Sequence, residues 1–367
     1  MRGIAAVPTY VVMQPTTLCN LDCAYCYLPM RAADRRMPVS VAAAVAESAN
    51  DWARAGRFSV VWHGGEPLAT GRDHLAALMA PFDPKVEHHV QTNATLIDDA
   101  WCEFFAARQV RVSISVDGPR ERNVSRVNRG GRPSYDRIMD GVAALRRHGI
   151  GFSVLCVVSE PGPGLAAELY EYFLGLGCDV LGINIEEREG VNTRANAHSA
   201  TAVTDFWAEL VAAWQQNPRI HLREVEWSLR YLAAVLDGTS DEVLPRQLDP
   251  IPTVGYDGTV ILLSPELAGF SDPRYGDFSS GNVLSTPLAK LLARAAETPW
   301  VREFLTGVES CRATCPYFGF CGGGHAANRY FEHGRFDGTV TNHCRNSKIR
   351  LLEGVLDHAR NQQQAIV

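Results

Sequence analysis

The chain has no apolar run of the roughly 18 to 20 residues that crossing a bilayer requires, so no membrane role is expected. It also lacks a basic stripe: 35 Lys and Arg stand against 41 Asp and Glu, the net charge is -6, and the arginines are scattered. A surface that tracks phosphates needs clustered cations, so no nucleic-acid partner is expected either. No charged n-region, apolar h-region or cleavage site precedes the strand-like run Pro8 to Met13, which points to a cytoplasmic protein. Repeats of fixed period and low-complexity tracts are missing as well. With 46% hydrophobic and 21% charged residues over 367 positions, the composition is that of a globular chain. Its length suits about two to three domain-sized units, or one large α/β domain with an appendage.

What the sequence does have is cysteine. Ten cysteines in a reducing compartment are poor candidates for disulfides, and seven of them cluster, which makes metal ligation the leading reading. Cys102, Cys156 and Cys178 lie among apolar residues on helix or strand patterns and read as small core fillers.

From residue 8 to about residue 185, short β-branched runs alternate with segments of helical period. Strands are expected at Tyr10 to Met13, Ser59 to Trp62, Val86 to Gln91, Val110 to Val116, Phe152 to Val158 and Val180 to Ile185. Helices are expected at Val39 to Ala55, Asp98 to Arg108, Tyr135 to His148 and Gly164 to Leu176. Six βα units make an α/β fold, a partial (β/α)6 barrel of the TIM type over residues 1–190. A helical linker (191–250) follows, with helices near Thr204 to Gln215 and Arg223 to Leu236. A Cys/Gly-rich module (251–345) then opens on a hairpin from Pro252 to Leu263 that turns at Asp257-Gly258, and carries a helix near Leu288 to Ala296. The segment 346–367 reads as a closing helix.

Cys19, Cys23 and Cys26 follow the first strand on one short loop, in a C-x3-C-x2-C spacing with Tyr25 before the last Cys. Cubane clusters are held by thiolates at such spacings, normally four of them, so three leave one iron open to a small molecule. A structural zinc ion needs four ligands, and the fourth would have to come from far along the chain. The spacing resembles that of the radical S-adenosylmethionine (SAM) family, which binds SAM on the open iron of a 4Fe-4S cluster. Further residues carry the resemblance: Gly64-Gly65-Glu66-Pro67 after strand two, Thr92 and Asn93 after strand three, Ser115, Asp117 and Gly118 after strand four, and Asn184 and Ile185 ending strand six. In a parallel barrel these strand ends share one mouth. The resemblance implies that Glu66 receives the SAM ammonium with help from the Gly64 and Gly65 backbone, that Thr92, Asn93, Ser115 and Asp117 contact its methionine and ribose, and that Asn184 and Ile185 lie near its adenine. It also implies an external electron donor of flavodoxin or ferredoxin type.

Cys311, Cys315 and Cys321, with Cys344 further on, supply four more thiols. The segment resembles the SPASM module of peptide-modifying radical SAM enzymes, with x3 rather than x2 in the first gap, His325 where a further cysteine ligand is usual, and no Cys in Leu263-Ser264-Pro265-Glu266. One auxiliary 4Fe-4S cluster is therefore implied, although a four-Cys zinc site has the same donors and spacing alone leaves it open. The texture of the module resembles cyclophane-forming maturases of ribosomal peptides. That implies a precursor-peptide substrate, an oxidative crosslink at a β-carbon, and recognition of the leader by a separate protein or by strand addition to an exposed edge of the module. Thioether-forming, epimerising and sulfatase-maturating (formylglycine) enzymes share these parts, and an iron-sulfur or zinc scaffold without activity is the non-enzyme alternative. Oxidative closure releases a proton, so Asp257, Glu266, Asp277, His325 and Glu332 stand as acid/base candidates.

Overall fold

The computed structural model describes residues 3–194 and 198–364, so residues 1, 2, 195–197 and 365–367 of the expected domain ranges lie outside the described set. β1 (Tyr10–Met13), β2 (Ser59–Trp62), β3 (Glu87–Thr92), β4 (Arg111–Ser115), β5 (Phe152–Val158) and β6 (Val180–Ile185) form a continuous parallel sheet. Period-two alternation sorts their side chains between two faces. One row across the sheet reads Met13, Trp62, Val90, Val112 and Phe152, all buried beneath the helices. Each side chain in such a row contributes about 1.5–3 kcal/mol by leaving water. Gln91, Ser115, Leu155, Val157 and Asn184 alternate with the buried set and are only half-buried, on the opposite, interior face.

The covering helices are α1 (Val39–Ala55), α2 (Arg72–Met79), α3 (Asp99–Ala107), α4 (Tyr135–Arg147) and α5 (Leu165–Leu176). In α1, Val41, Ala42, Val45, Ala46, Ala49, Trp52 and Ala53 recur at three- and four-residue steps and give the helix its buried stripe. α2 is absent from the expectations, because eight residues make little more than two turns, too few for a helical period to register. Cys102, Cys156 and Cys178 are buried in the core, as expected of fillers.

The later segments do not stand apart from this sheet. α6 (Ala200–Gln216) packs on α5, and β7 (His221–Leu222) adds to β6 ahead of α7 (Arg223–Leu236). The hairpin, β8 (Thr253–Val254) and β9 (Val260–Ile261), joins through a parallel pairing of β8 with β1, giving the order β7-β6-β5-β4-β3-β2-β1-β8-β9. The hairpin placed in the module by its texture thus extends the barrel sheet. α8 (Leu288–Ala293), α9 (Pro299–Thr314), α10 (Phe318–Cys321), α11 (Ala326–His333) and α12 (Asn342–Cys344) complete the Cys-rich segment. α13 (Arg350–Gln364) returns to pack against α6, with the Trp207 indole donating to the Asn346 carbonyl at 2.8 Å.

One expectation fails at the sheet edge. The outer side of β9 is already paired: Val260 donates to Gly281 O at 2.9 Å and Ser280 donates to Val260 O at 2.8 Å. Strand addition to the module's hairpin is therefore corrected, because the backbone groups it needs are taken within the chain. Among the described residues, no helix is long and apolar enough to cross a membrane.

Candidate functional site

Because β1 to β6 are parallel, the segments after them emerge at one end of the sheet. The loop after β1 carries Cys19, Cys23 and Cys26, all partly exposed. Arginines pin its backbone: Arg129 Nη2 donates to Cys19 O at 2.8 Å, and Arg31 Nη1 to Cys26 O at 3.0 Å. The loop after β2 locks onto it. Gly65 has φ +63°, and a Cβ there would lie 2.6 Å from Leu18 O and 2.7 Å from Thr16 O, while Glu66 N donates to Leu18 O at 2.8 Å. Only glycine allows that approach.

The polar residues expected at the ligand are largely engaged with one another. The Glu66 carboxylate, 1% exposed, accepts from Leu68 N (3.1 Å), Thr92 Oγ1 (2.7 Å) and Asn93 N (2.8 Å). Three of its four acceptor positions are filled. Burial raises its pKa against the pull of those three bonds. Asn93 gives its amide hydrogens to Asn20 Oδ1 (2.8 Å) and Cys19 Sγ (3.8 Å) and accepts twice from Thr95. Thr92 lies in the helix-facing row with Ile114. Asp117 accepts from Arg126 Nε and Nη2 (both 3.0 Å), Val157 N (3.0 Å) and Tyr25 Oη (2.5 Å), which fills all four positions. The side chains of Thr92, Asn93 and Asp117 thus find their partners within the chain and help fix the cysteine loop. Ile185, at the end of β6, turns its side chain into the core at 1% exposure. Ser115, which accepts from Gln91 at 2.9 Å, and Asn184, which accepts from Arg223 at 2.8 Å, remain on the interior face. Tyr25 is bound to Asp117, with Arg126 over its ring at 5.4 Å.

A second polar group joins this loop to the Cys-rich segment. After β6 the chain runs through Glu187 and Glu189 to Gly190, whose Cβ would lie 2.1 Å from Tyr27 O. Glu187 meets His343 Nδ1 at 2.6 Å, and the Asn328 amide donates to both Glu187 and Glu189. His325 bridges onward, with Nδ1 4.0 Å from Glu189 and Nε2 4.0 Å from Glu266. Oε2 of Glu266 has no hydrogen-bond partner among the described residues. Burial pushes Glu266 up to about 7, with the Glu187 charge adding to the rise. Burial, with the His343 charge, brings His325 down to about 4, so its imidazole is neutral near pH 7. Burial would also raise Glu187, but His343 and the hydrogen bonds outweigh it and hold it at about 2.

The expected pair His325 and Glu266 is therefore brought together. Asp257 and Asp277 are not: their carboxylates accept from Thr259 N and Ser279 N two residues on, as turn formers, along a separate cleft of about 280 Å³. Glu332 binds Asn342 N with both oxygens, a structural role. Sequence reasoning missed Glu187, Glu189, Asn328 and His343. It missed Tyr27 and His63 as well, whose hydroxyl and Nε2 are 2.8 Å apart. Only the position of His63 beside Gly64-Gly65 signals it.

The four later cysteines, Cys311, Cys315, Cys321 and Cys344, line one cavity of about 250 Å³ together with Pro316, Tyr317 and Ile349. Among the described residues, no three His, Cys, Asp or Glu side chains gather around a point as ligands of a single metal ion. The thiols surround a space.

A parallel βα sheet with a three-cysteine loop at its strand ends defines an α/β protein of cluster-binding type, and the comparisons name the family. The radical SAM superfamily model matches residues 13–162. Over 354 residues the chain is 33% identical to the uncharacterized protein sll1766 of Synechocystis sp., covering 91% of this chain and 88% of that one. It is 29% identical over 225 residues to the serine-type anaerobic sulfatase-maturating enzyme of Klebsiella aerogenes, covering 57% of this chain and 54% of that enzyme. Two solved structures share the fold. Native anSMEcpe with bound AdoMet and Cp18Cys peptide has a TM-score of 0.72 at 20% identity, covering 98% of this chain and 100% of that one. Streptococcus suis SuiB bound to precursor peptide SuiA has 0.67 at 16% identity, covering 93% and 76%. Residues 13–162 thus form a radical SAM segment within a chain that is an enzyme.

Proposed function

We propose that this enzyme oxidatively modifies a ribosomally made peptide, forming an intrapeptide crosslink at a β-carbon. The observation that carries this reading is the half-buried group Glu189, His325 and Glu266, set between the cysteine loop and the Cys-rich segment, with one carboxylate oxygen unpartnered. Cys19, Cys23 and Cys26 would hold a 4Fe-4S cluster, and the interior-face residues Gln91, Ser115 and Asn184, with the Gly64 and Gly65 backbone, would hold SAM. Together these cofactors supply a 5'-deoxyadenosyl radical that takes hydrogen from carbon. Glu266, raised to about 7, accepts the proton lost as the new bond closes. Neutral His325 lies between that carboxyl group and Glu189, 4.0 Å from each.

Cys311, Cys315, Cys321 and Cys344 would hold one auxiliary 4Fe-4S cluster, which would take up the electron released with that proton. A cavity lined by four thiols fits a cubane, whereas zinc would draw the sulfurs to about 2.3 Å from one point. Peptides bound in both structural neighbours support a peptide partner. An external electron donor and a separate leader-recognition protein complete the partners. The relatives named for sulfatase maturation favour a second reading, oxidation of Ser or Cys to formylglycine. Tandem mass spectrometry of a reacted peptide separates the two. A crosslink leaves two residues covalently joined after proteolysis, whereas formylglycine yields an aldehyde that a hydrazide traps. Trapped aldehyde without a crosslink would overturn the first reading.

A further inference from the structure

Arg329 on α11 is 1% exposed, which is rare for a group that stays charged at every accessible pH. Its contacts are mostly neutral. Nη1 donates to Phe304 O (3.2 Å) and Phe336 O (3.0 Å), and Nη2 to Gly323 O (2.5 Å). The guanidinium lies over the Phe304 ring at 4.8 Å, and Nε has no partner among the described residues. The remaining contact is Nη2 to the Sγ of Cys311, at 3.4 Å. Space for the fork is cut into α9 at Gly307, where a Cβ would stand 2.1 Å from Nη1.

Carbonyl oxygens and a ring do not neutralise a buried charge, and an uncompensated one costs several kcal/mol. The groups acting on Arg329 with negative charge are the sulfurs of Cys311, Cys321 and Cys344. As thiols they are neutral. As ligands they are thiolates, and the guanidinium then faces its counter-charge. Resting on the reading of these cysteines as an auxiliary 4Fe-4S site, we propose that Arg329 is the built-in counter-cation of that cluster and, by donating to the Cys311 sulfur, holds its reduction potential up. Net charge and hydrogen bonds to sulfur are the levers that set such potentials, and second-shell partners tune metal sites generally. Arg329 is a positioning residue here: it acts through Cys311.

The experiment is potentiometry followed by electron paramagnetic resonance on the reconstituted full-length enzyme, comparing wild type, Arg329→Met and Arg329→Lys. Removing the charge and the fork together should shift the auxiliary potential to more negative values, and lysine, which keeps the charge without the fork, should give a smaller shift. The cluster at Cys19, Cys23 and Cys26 should not move in either variant. Unshifted auxiliary potentials in variants with full iron content would overturn the inference. If Arg329→Met does not fold, Arg329→Lys decides alone: a potential below wild type supports the inference and an equal one sinks it. A wild-type protein with iron for one cubane, about four per chain rather than about eight, sinks the auxiliary-site reading itself and this inference with it.

Discussion

Tyr25 Oη lies 2.5 Å from Asp117 Oδ2, so the cysteine loop after β1 is tied to the end of β4 by a carboxylate that also holds Arg126 in a two-pronged pair. The Arg126 and Asp117 side chains are 7% and 2% exposed, hence little screened by water. Removing one partner strands a buried charge. Asp117→Asn should therefore lower stability by about 3–5 kcal/mol, and Tyr25→Phe by about 1 kcal/mol. Denaturant unfolding checks both. Tyr25→Phe should also lose iron faster under chelation, because the loop between Cys23 and Cys26 is no longer fixed.

Replacing Cys19, Cys23 and Cys26 together by Ala should abolish 5'-deoxyadenosine formation while iron retained at the second site persists. Cys344→Ala should do the reverse, leaving SAM cleavage measurable and cutting iron per chain by about half. Chromatography for 5'-deoxyadenosine and iron analysis read the two effects separately. Cleavage surviving in the triple variant would sink the assignment of the first loop.

How much of this was legible in the sequence follows from what each pattern reports. Strands β1, β2, β5 and β6 and helices α1 and α7 fall at their expected bounds, because β-branched runs and helical periods directly report burial. β7 and β8 carry two residues each, too few to show a period, and so the docking of the hairpin on β1 was hidden. The cysteines were legible from spacing. The engagement of Thr92, Asn93 and Asp117 was not, since a polar residue at a strand end looks the same whether it faces a ligand or a neighbouring loop. Glu187 meets His343 from 156 residues away and Glu189 approaches His325 from a similarly distant part of the chain, so no local pattern joins them. Arg329 reads as one surface arginine among many until its burial is seen.

As the proposed base, Glu266 would make the reaction pH-dependent with a definite sign. Its folded-state pKa is about 7, so the carboxylate that accepts the proton is scarce below that value and prevails above it. The ratio of modified peptide to 5'-deoxyadenosine should therefore rise as pH increases through about 7, and Glu266→Gln should abolish the rise while leaving SAM cleavage intact. Stability runs the opposite way. The native state holds this proton more tightly than the unfolded chain, so a penalty sets in as pH climbs above the ordinary carboxylate value of 4.5 and is complete past about 7. A product ratio flat across about pH 6 to 8 in the wild type would remove Glu266 as the base.

Gly65 offers the sharpest steric test of how the second strand's loop supports the first. An alanine there would need its Cβ 2.6 Å from Leu18 O and 2.7 Å from Thr16 O, at a φ of +63° that side chains other than glycine adopt at a cost. Both obstacles are backbone atoms, so no rotamer change relieves them, and the loop carrying Cys19 must move. The left-handed conformation alone costs about 1–2 kcal/mol for a residue with a Cβ, and the displaced loop adds the lost bond from Glu66 N to Leu18 O. Gly65→Ala should lower iron retained at the first loop and 5'-deoxyadenosine formation together, while global unfolding shifts by only a few kcal/mol. Gly71→Ala is the control: its φ is +82°, yet a Cβ there meets nothing within 4 Å, so the backbone penalty applies without the clash. Equal loss of iron in the two variants would mean that conformation, not contact with the cysteine loop, is what Gly65 provides.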